Sequence, residues 1–129
     1  MIGMIGAMAT ETALLSAAMT EKKEEIISGI TYISGVLDGQ AAVVATCGPG
    51  KVNAAVCAQT MVLRYAPALL VNTGVAGTLT AELGIGDVAV ANAFVQHDVD
   101  TTALGDAPGY VSGIGCVRFA AEETLAARI

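Results

Sequence analysis

Three short apolar runs in this chain each end in a cluster of very small residues. Met1–Gly6 gives way to Gly6-Ala7-Met8, Ala41–Thr46 to Cys47-Gly48-Pro49-Gly50, and Ala68–Thr73 to Gly74-Val75-Ala76-Gly77. Runs of this length are too short for buried helices and suit strands, and after the first two the apolar spacing switches to a helical period. Strands that hand over to helices through tight turns build an α/β sheet. Such sheets take small ligands at the carboxyl ends of their strands, where residues without bulk let a ligand approach the backbone closely.

The rest of the chain fits around that frame. After Thr10, a candidate N-cap with Glu11 in the first turn, Leu14, Leu15, Ala18 and Met19 mark one face of a first helix. Lys22–Glu25 is a polar break. Ile26–Leu37, the Asp38-Gly39 turn and Ala41–Thr46 form an antiparallel meander. A second helix is expected from about Lys51 to Tyr65, with a Val52, Val56, Gln59, Leu63 stripe backed by Ala54, Cys57, Ala58 and Met61, and so buried on both sides. After Gly84-Ile85-Gly86-Asp87 another strand is expected from Val88 to about Gln96. Ala107–Gly115 is loop-like, and Ala120–Ile129 carries a helical spacing with no stop signal, so the chain is expected to end inside a helix. The expected fold class is α/β, a twisted mixed sheet flanked by helices, in one domain spanning 1–129.

Composition narrows the function. Six Lys and Arg stand against twelve Asp and Glu, a formal charge of −6, and the single adjacent basic pair is Lys22-Lys23. Nucleic-acid binding needs phosphate-neutralising clusters, which are missing. No apolar run approaches the roughly 18 residues of a membrane span. The N-terminus lacks a basic stretch before Glu11 and does not resemble a secretory signal, so the expected compartment is the cytoplasm. Cys47, Cys57 and Cys116 have no C-x-x-C spacing and are expected to be reduced thiols.

Several motifs fail on context. Gly48-Pro49-Gly50-Lys51-Val52-Asn53 puts Asn where a dinucleotide fingerprint needs Gly or Ala, and Gly84-Ile85-Gly86-Asp87-Val88-Ala89 precedes a strand in place of a helix. A Walker loop would need Gly at Ala45 and Ser or Thr at Val52. His97-Asp98-Val99-Asp100 gathers the one histidine and two acids, but lacks further ligands nearby, and the simpler reading is a capped, hydrogen-bonded loop or an interface element. Glu11 stands out as the acid that strand-end geometry aims at a ligand pocket. Its alternative role is to complement the helix dipole.

Taken together and in order, MIGAMATE, TCGPGKVNAA, VNTGVAGTL, GIGDV and QHDVDTTALG resemble the bacterial 5′-methylthioadenosine/S-adenosylhomocysteine nucleosidases of the purine nucleoside phosphorylase superfamily. The resemblance covers Met1 to about Arg118. It implies a nucleosidase-like α/β domain, a homodimer, and hydrolysis of the N-ribosidic bond of methylthioadenosine and adenosylhomocysteine to release adenine, a step of methionine salvage, with no metal or cofactor. Residue by residue, Glu11 matches the general base that activates water, and Val75, Ala76 and Gly77 match the loop lining the nucleoside site. Pro49 falls where an apolar residue lines the 5′-thioalkyl pocket, and Thr101 and Leu104 match positions that cover the neighbour's pocket across the dimer.

Two departures follow from the same resemblance. Some members carry Ser at the Val75 position, so a hydroxyl contact there is lost while backbone contacts remain. The family's chain is also nearly twice as long, and its second half carries the aspartate that protonates departing adenine and a Met-Glu segment gripping base and ribose. The chain is therefore expected to be the N-terminal portion, inactive alone. Rival readings are a non-catalytic truncated fragment that dimerises or binds a partner, and a purine nucleoside phosphorylase. The absence of Arg before Arg64 and the anionic Glu11 at the pocket edge both argue against a phosphate site.

Overall fold

The computed structural model describes residues 1–126. Its elements are β1 (Ile2–Gly6), α1 (Ala9–Ala18), β2 (Thr20–Ile27), β3 (Ile30–Leu37), β4 (Gln40–Thr46), α2 (Lys51–Tyr65), β5 (Leu69–Asn72), β6 (Ala93–Val95), a 3-10 turn (Thr102–Leu104), β7 (Arg118–Ala120) and α3 (Glu123–Ala126). They group into two compact units, one from Met1 to Gly77 and the other from Thr78 onward.

The first unit holds a five-stranded mixed sheet in the order β2-β3-β4-β1-β5. β1 runs parallel to both β4 and β5, while β2-β3-β4 is an antiparallel meander. β1 reaches its parallel neighbour β4 by way of α1 and the meander, and α2 carries the chain from β4 across β1 to β5. The expected mixed sheet flanked by helices is thus what forms.

Period-two alternation sorts the side chains into two cores. Ile5, Tyr32, Val43 and Ala45 face α2 and pack with its Cys57 and Met61, while Ala42 and Val44 pack with Met19 on the opposite face, joined by Met4, Leu15 and Ile33. Gly3 belongs to the α2 face, where a Cβ would lie 2.5 Å from the Met61 sulfur, so the helix seats on bare backbone. The buried Tyr32 hydroxyl donates to the Cys57 carbonyl at 3.3 Å, and its ring lies 5.7 Å from that of Tyr65. Arg64 and Tyr65, at the end of α2, both bond the Glu25 carboxylate on β2, fastening the helix to the outer strand.

Several expectations need correction. Thr10 is not the N-cap: α1 begins at Ala9 after Met8, because the Glu11 carboxylate takes the free Met8 N–H itself. The inward side of α1 carries the buried Thr12 and the half-buried Leu15, continued by the buried Met19 just past its end, while Leu14 and Ala18 are exposed. Lys22–Glu25 is no break but the middle of β2, an edge strand whose charged residues are exposed on both faces as far as Glu24 and which bulges between Thr20 and Lys23. α2 has the expected bounds but is buried on one side only, with Val52 76% and Leu63 77% exposed. Of the strand expected over 88–96, only Ala93–Val95 pairs, with β7. Of the helix expected over 120–129, α3 covers Glu123–Ala126; Ala120 instead ends β7, Ala121 and Glu122 are not helical, and 127–129 lie outside the described residues.

No described helix is long and apolar enough to cross a membrane.

Candidate active site

Parallel pairing brings the carboxyl ends of β4, β1 and β5 side by side. Cys47 N–H donates to the Gly6 carbonyl and Thr73 N–H to the Ile5 carbonyl, both at 2.9 Å, which extends the ladder one residue past each strand. α1 starts immediately after β1. Its approach is close because Gly6 has no side chain: a Cβ there would meet the Thr12 methyl at 2.6 Å. Below that contact the buried Thr12 hydroxyl pairs with Thr46 at the end of β4.

Glu11, in the first turn of α1, turns back over these strand ends. Its Oε2 accepts from the backbone N–H of Ala7 at 2.8 Å and of Met8 at 2.9 Å, and its Oε1 accepts from the Val75 N–H at 2.9 Å, beyond β5. These donors hold the carboxyl below its ordinary value, the Val75 bond most strongly, with partial desolvation opposing them. The group is therefore anionic at neutral pH, half-buried, and fixed by main chain alone. Gly74 makes this geometry possible, since a Cβ there would lie 2.5 Å from Oε1.

Beside it, the buried Cys47 thiol donates to the Gly48 carbonyl at 3.0 Å. Burial pushes its ionisation up, and the Glu11 charge adds to the rise. Cys47 thus stays a neutral thiol. Gly48 and Gly50 both adopt positive φ, and Asn53 Nδ2 donates to the Pro49 carbonyl at 2.7 Å, which shapes the exposed turn that carries Pro49.

Glu11 and Val75 are therefore in direct contact, Pro49 lies in the turn after the adjacent β4, and Ala76 and Gly77 continue as exposed loop from Val75. Val75 contributes its amide, while its side chain is 81% exposed. Thr101 and Leu104 belong to the second unit. There Thr101 Oγ1 donates to Asp106 at 2.7 Å, and Leu104 is exposed at the end of the 3-10 turn. Asp100 Oδ1 accepts from the Thr102 amide and hydroxyl at the start of that turn, which gives the acidic stretch after His97 a local structural task. Among the described residues, no group of three or more His, Cys, Asp or Glu is arranged to hold a metal ion.

Sequence reasoning placed Gly74, Ala7 and Met8 at the ligand ends of the strands but did not foresee their contacts with Glu11, nor the Thr12–Thr46 pair. Only Gly74 had a visible signal, a glycine placed directly after a buried strand.

A family profile described as the phosphorylase superfamily matches residues 1–129. The chain belongs to the phosphorylase superfamily. Within it, the chain is 40% identical over 124 residues to the 5′-methylthioadenosine/S-adenosylhomocysteine nucleosidase of Anoxybacillus flavithermus, a match covering 96% of this chain and 53% of that protein. The crystal structure of the nucleosidase of the same name from Neisseria meningitidis, in complex with methylthio-immucillin-A, superposes with a TM-score of 0.93 at 37% identity, covering 98% of this chain and 54% of that one. Futalosine hydrolase of Helicobacter pylori superposes at 0.91 with 31% identity, again over 98% of this chain and 54% of the other. This superfamily chain spans about half the length of the curated relatives it matches.

Proposed function

We propose that this chain is the water-activating portion of an enzyme that hydrolyses the N-ribosidic bond of 5′-methylthioadenosine and S-adenosylhomocysteine. The observation that carries the reading is the seat of Glu11. Converging backbone N–H groups at strand ends, beside a helix N-terminus, make a ready site for a phosphate. Here the chain's own carboxylate fills that site, bonded to Ala7, Met8 and Val75. A second anion would meet the Glu11 charge, whereas a neutral water would meet a hydrogen-bond acceptor. Hydrolysis is thereby favoured over phosphorolysis, and also over a non-catalytic role, which gives no reason for a carboxylate held so closely at the ligand end of the sheet.

On this reading a water donates to Glu11 while its oxygen attacks the anomeric carbon. The N-ribosidic bond breaks with its electron pair leaving on adenine, through an oxocarbenium-like transition state. The water's proton passes to Glu11. Adenine takes its proton from an acid that the family resemblance places in the part of the relatives this chain does not span. Pro49 would border the 5′-thioalkyl group, and Val75, Ala76 and Gly77 the nucleoside, without metal or cofactor. Thr101 and Leu104 would cover the pocket of a second copy in a homodimer, and residues 1–129 would form the N-terminal portion of one α/β domain. The three cysteines are unpaired, which fits a reducing, cytoplasmic setting.

The test is incubation of the intact protein with 5′-methylthioadenosine in phosphate-free buffer, with products resolved by chromatography. Adenine and methylthioribose, formed at a rate that added phosphate does not raise, are expected. A phosphorylated sugar formed only with phosphate would overturn the reading.

A further inference from the structure

An ionised carboxylate offers about four lone-pair sites. On Glu11 both Oε2 sites are taken, by the Ala7 and Met8 amides, and one Oε1 site by the Val75 amide. One acceptor position is left, and it is on Oε1. We infer that Glu11 works through Oε1 alone, and that Gly74 is the positioning residue that keeps this oxygen aimed and unobstructed.

The clash is with the carboxylate itself. A Cβ on Gly74 would lie 2.5 Å from Oε1 and 2.7 Å from Cδ, closer than real contacts allow, and 3.0 Å from Oε2, at the tight limit. Gly6 holds the other end of the same side chain, with its own Cβ direction 3.3 Å from the Glu11 Cβ. Bare backbone thus flanks Glu11 at both ends. At Gly77, three residues on, the same addition meets nothing within 4 Å, so the loop as a whole does not demand glycine. With Ala at position 74 the carboxylate must swing away, which breaks the Val75 bond and turns the free lone pair from its direction. A base moved by about 1 Å can lose on the order of 10²-fold in rate. The Val75 amide is also the largest influence lowering the Glu11 carboxyl, so its loss returns that group toward ordinary basicity.

The effect on rate rests on the hydrolase reading, but the geometry does not, and the experiment separates the two. In the intact protein, nuclear magnetic resonance follows the Glu11 carboxyl carbon and the Val75, Ala7 and Met8 amides through an acid titration. All three amides are expected to move with the carboxyl, and none in Glu11→Gln. In Gly74→Ala the Glu11 carboxyl is expected to titrate at higher pH, the Val75 amide to stop following it, and kcat to fall about 10²-fold with KM little changed. Gly113→Ala, in open space, should alter none of these. An unchanged Glu11 titration and turnover in Gly74→Ala would overturn the inference. If that variant does not fold, a Val75 amide that ignores Glu11 in the unaltered protein overturns it, and one that follows it supports it. Full turnover by Glu11→Gln would instead sink the hydrolase reading and leave the titration result standing.

Discussion

The hydroxyls of Thr12 and Thr46 meet at 2.7 Å, joining the first helix to the end of β4 beneath the carboxylate of Glu11. Thr12 is 3% exposed and Thr46 half-buried, and the Thr12 hydroxyl also lies 3.4 Å from the Ala9 carbonyl. Thr12→Val keeps the shape, removes the bond and leaves the half-buried Thr46 hydroxyl without this partner. It should cost about 1–3 kcal/mol of stability by denaturant titration. Replacing both with Val should recover part of that loss, because no unpaired group then remains.

Glu11→Gln should lower turnover of 5′-methylthioadenosine by about 10²–10⁴, the usual contribution of a placed general base. Gln must also turn its amide NH2 toward at least one of the three backbone donors, so the variant should unfold at somewhat lower denaturant. In the unaltered protein the folded carboxyl lies below its ordinary 4.5. Its bonds therefore stabilise the fold above that ordinary value and are lost as pH falls through the lowered one. The acid limb of kcat/KM should lie on the same low side.

Tyr32 and Tyr65 are each raised from an ordinary 10.0 to about 12, in both cases mainly by burial. The neutral phenols are the form the fold prefers. Their contribution is complete below pH 10 and is lost as pH climbs toward about 12. Phenolate absorbance in the native protein should show these two ionising late, and Tyr32→Phe should flatten the fall of stability across that window. Ordinary ionisation of all tyrosines would contradict the packing of α2 against β3.

Much of this arrangement was legible in advance. Lys51–Tyr65 has strong punctuation on both sides, Gly48-Pro49-Gly50 before it and Pro67 after, and its bounds match. The Asp38-Gly39 turn likewise marks the β3-β4 hairpin, with Asp38 and Gly39 both at positive φ. β2 was hidden because an edge strand needs no apolar alternation to pair, and its charges belong on the outside. The stretch from Val88 to Asn92 has strand-like composition, but a strand exists only where another backbone takes up its polar groups. The exposed side of α2 was hidden for a simpler reason. When Val, Ala and Leu occur nearly all round a helix, periodicity cannot tell which side meets the sheet.

At the candidate site, Glu11 was legible from its place after β1, but what holds it was not. Backbone amides carry no signature in a sequence, and Val75 lies 64 residues away.

Leu63→Glu places a charge on the exposed side of α2, where Leu63 is 77% accessible, and Leu104→Asp does so on the 3-10 turn. Neither should shift single-chain stability by more than about 0.5 kcal/mol. If the protein assembles as the proposed homodimer, Leu104→Asp should weaken it or raise KM, because an unpaired charge is costly in a dry interface. Sedimentation and kinetics matching the parent would remove Leu104 from the interface.

The three amides that hold Glu11 come from two distances along the chain: Ala7 and Met8 lie within four residues of it, and Val75 lies 64 away. The first two need only one helical turn. The third exists only when β5 has taken its place beside β1, the last strand of the sheet to appear in the chain. In a molecule in which that strand is misplaced, both acceptor positions of the Glu11 Oε1 are open and the carboxyl lies closer to its ordinary basicity. The arrangement is an interlock, in which the full set of bonds on the carboxylate is completed by the same event that completes the sheet.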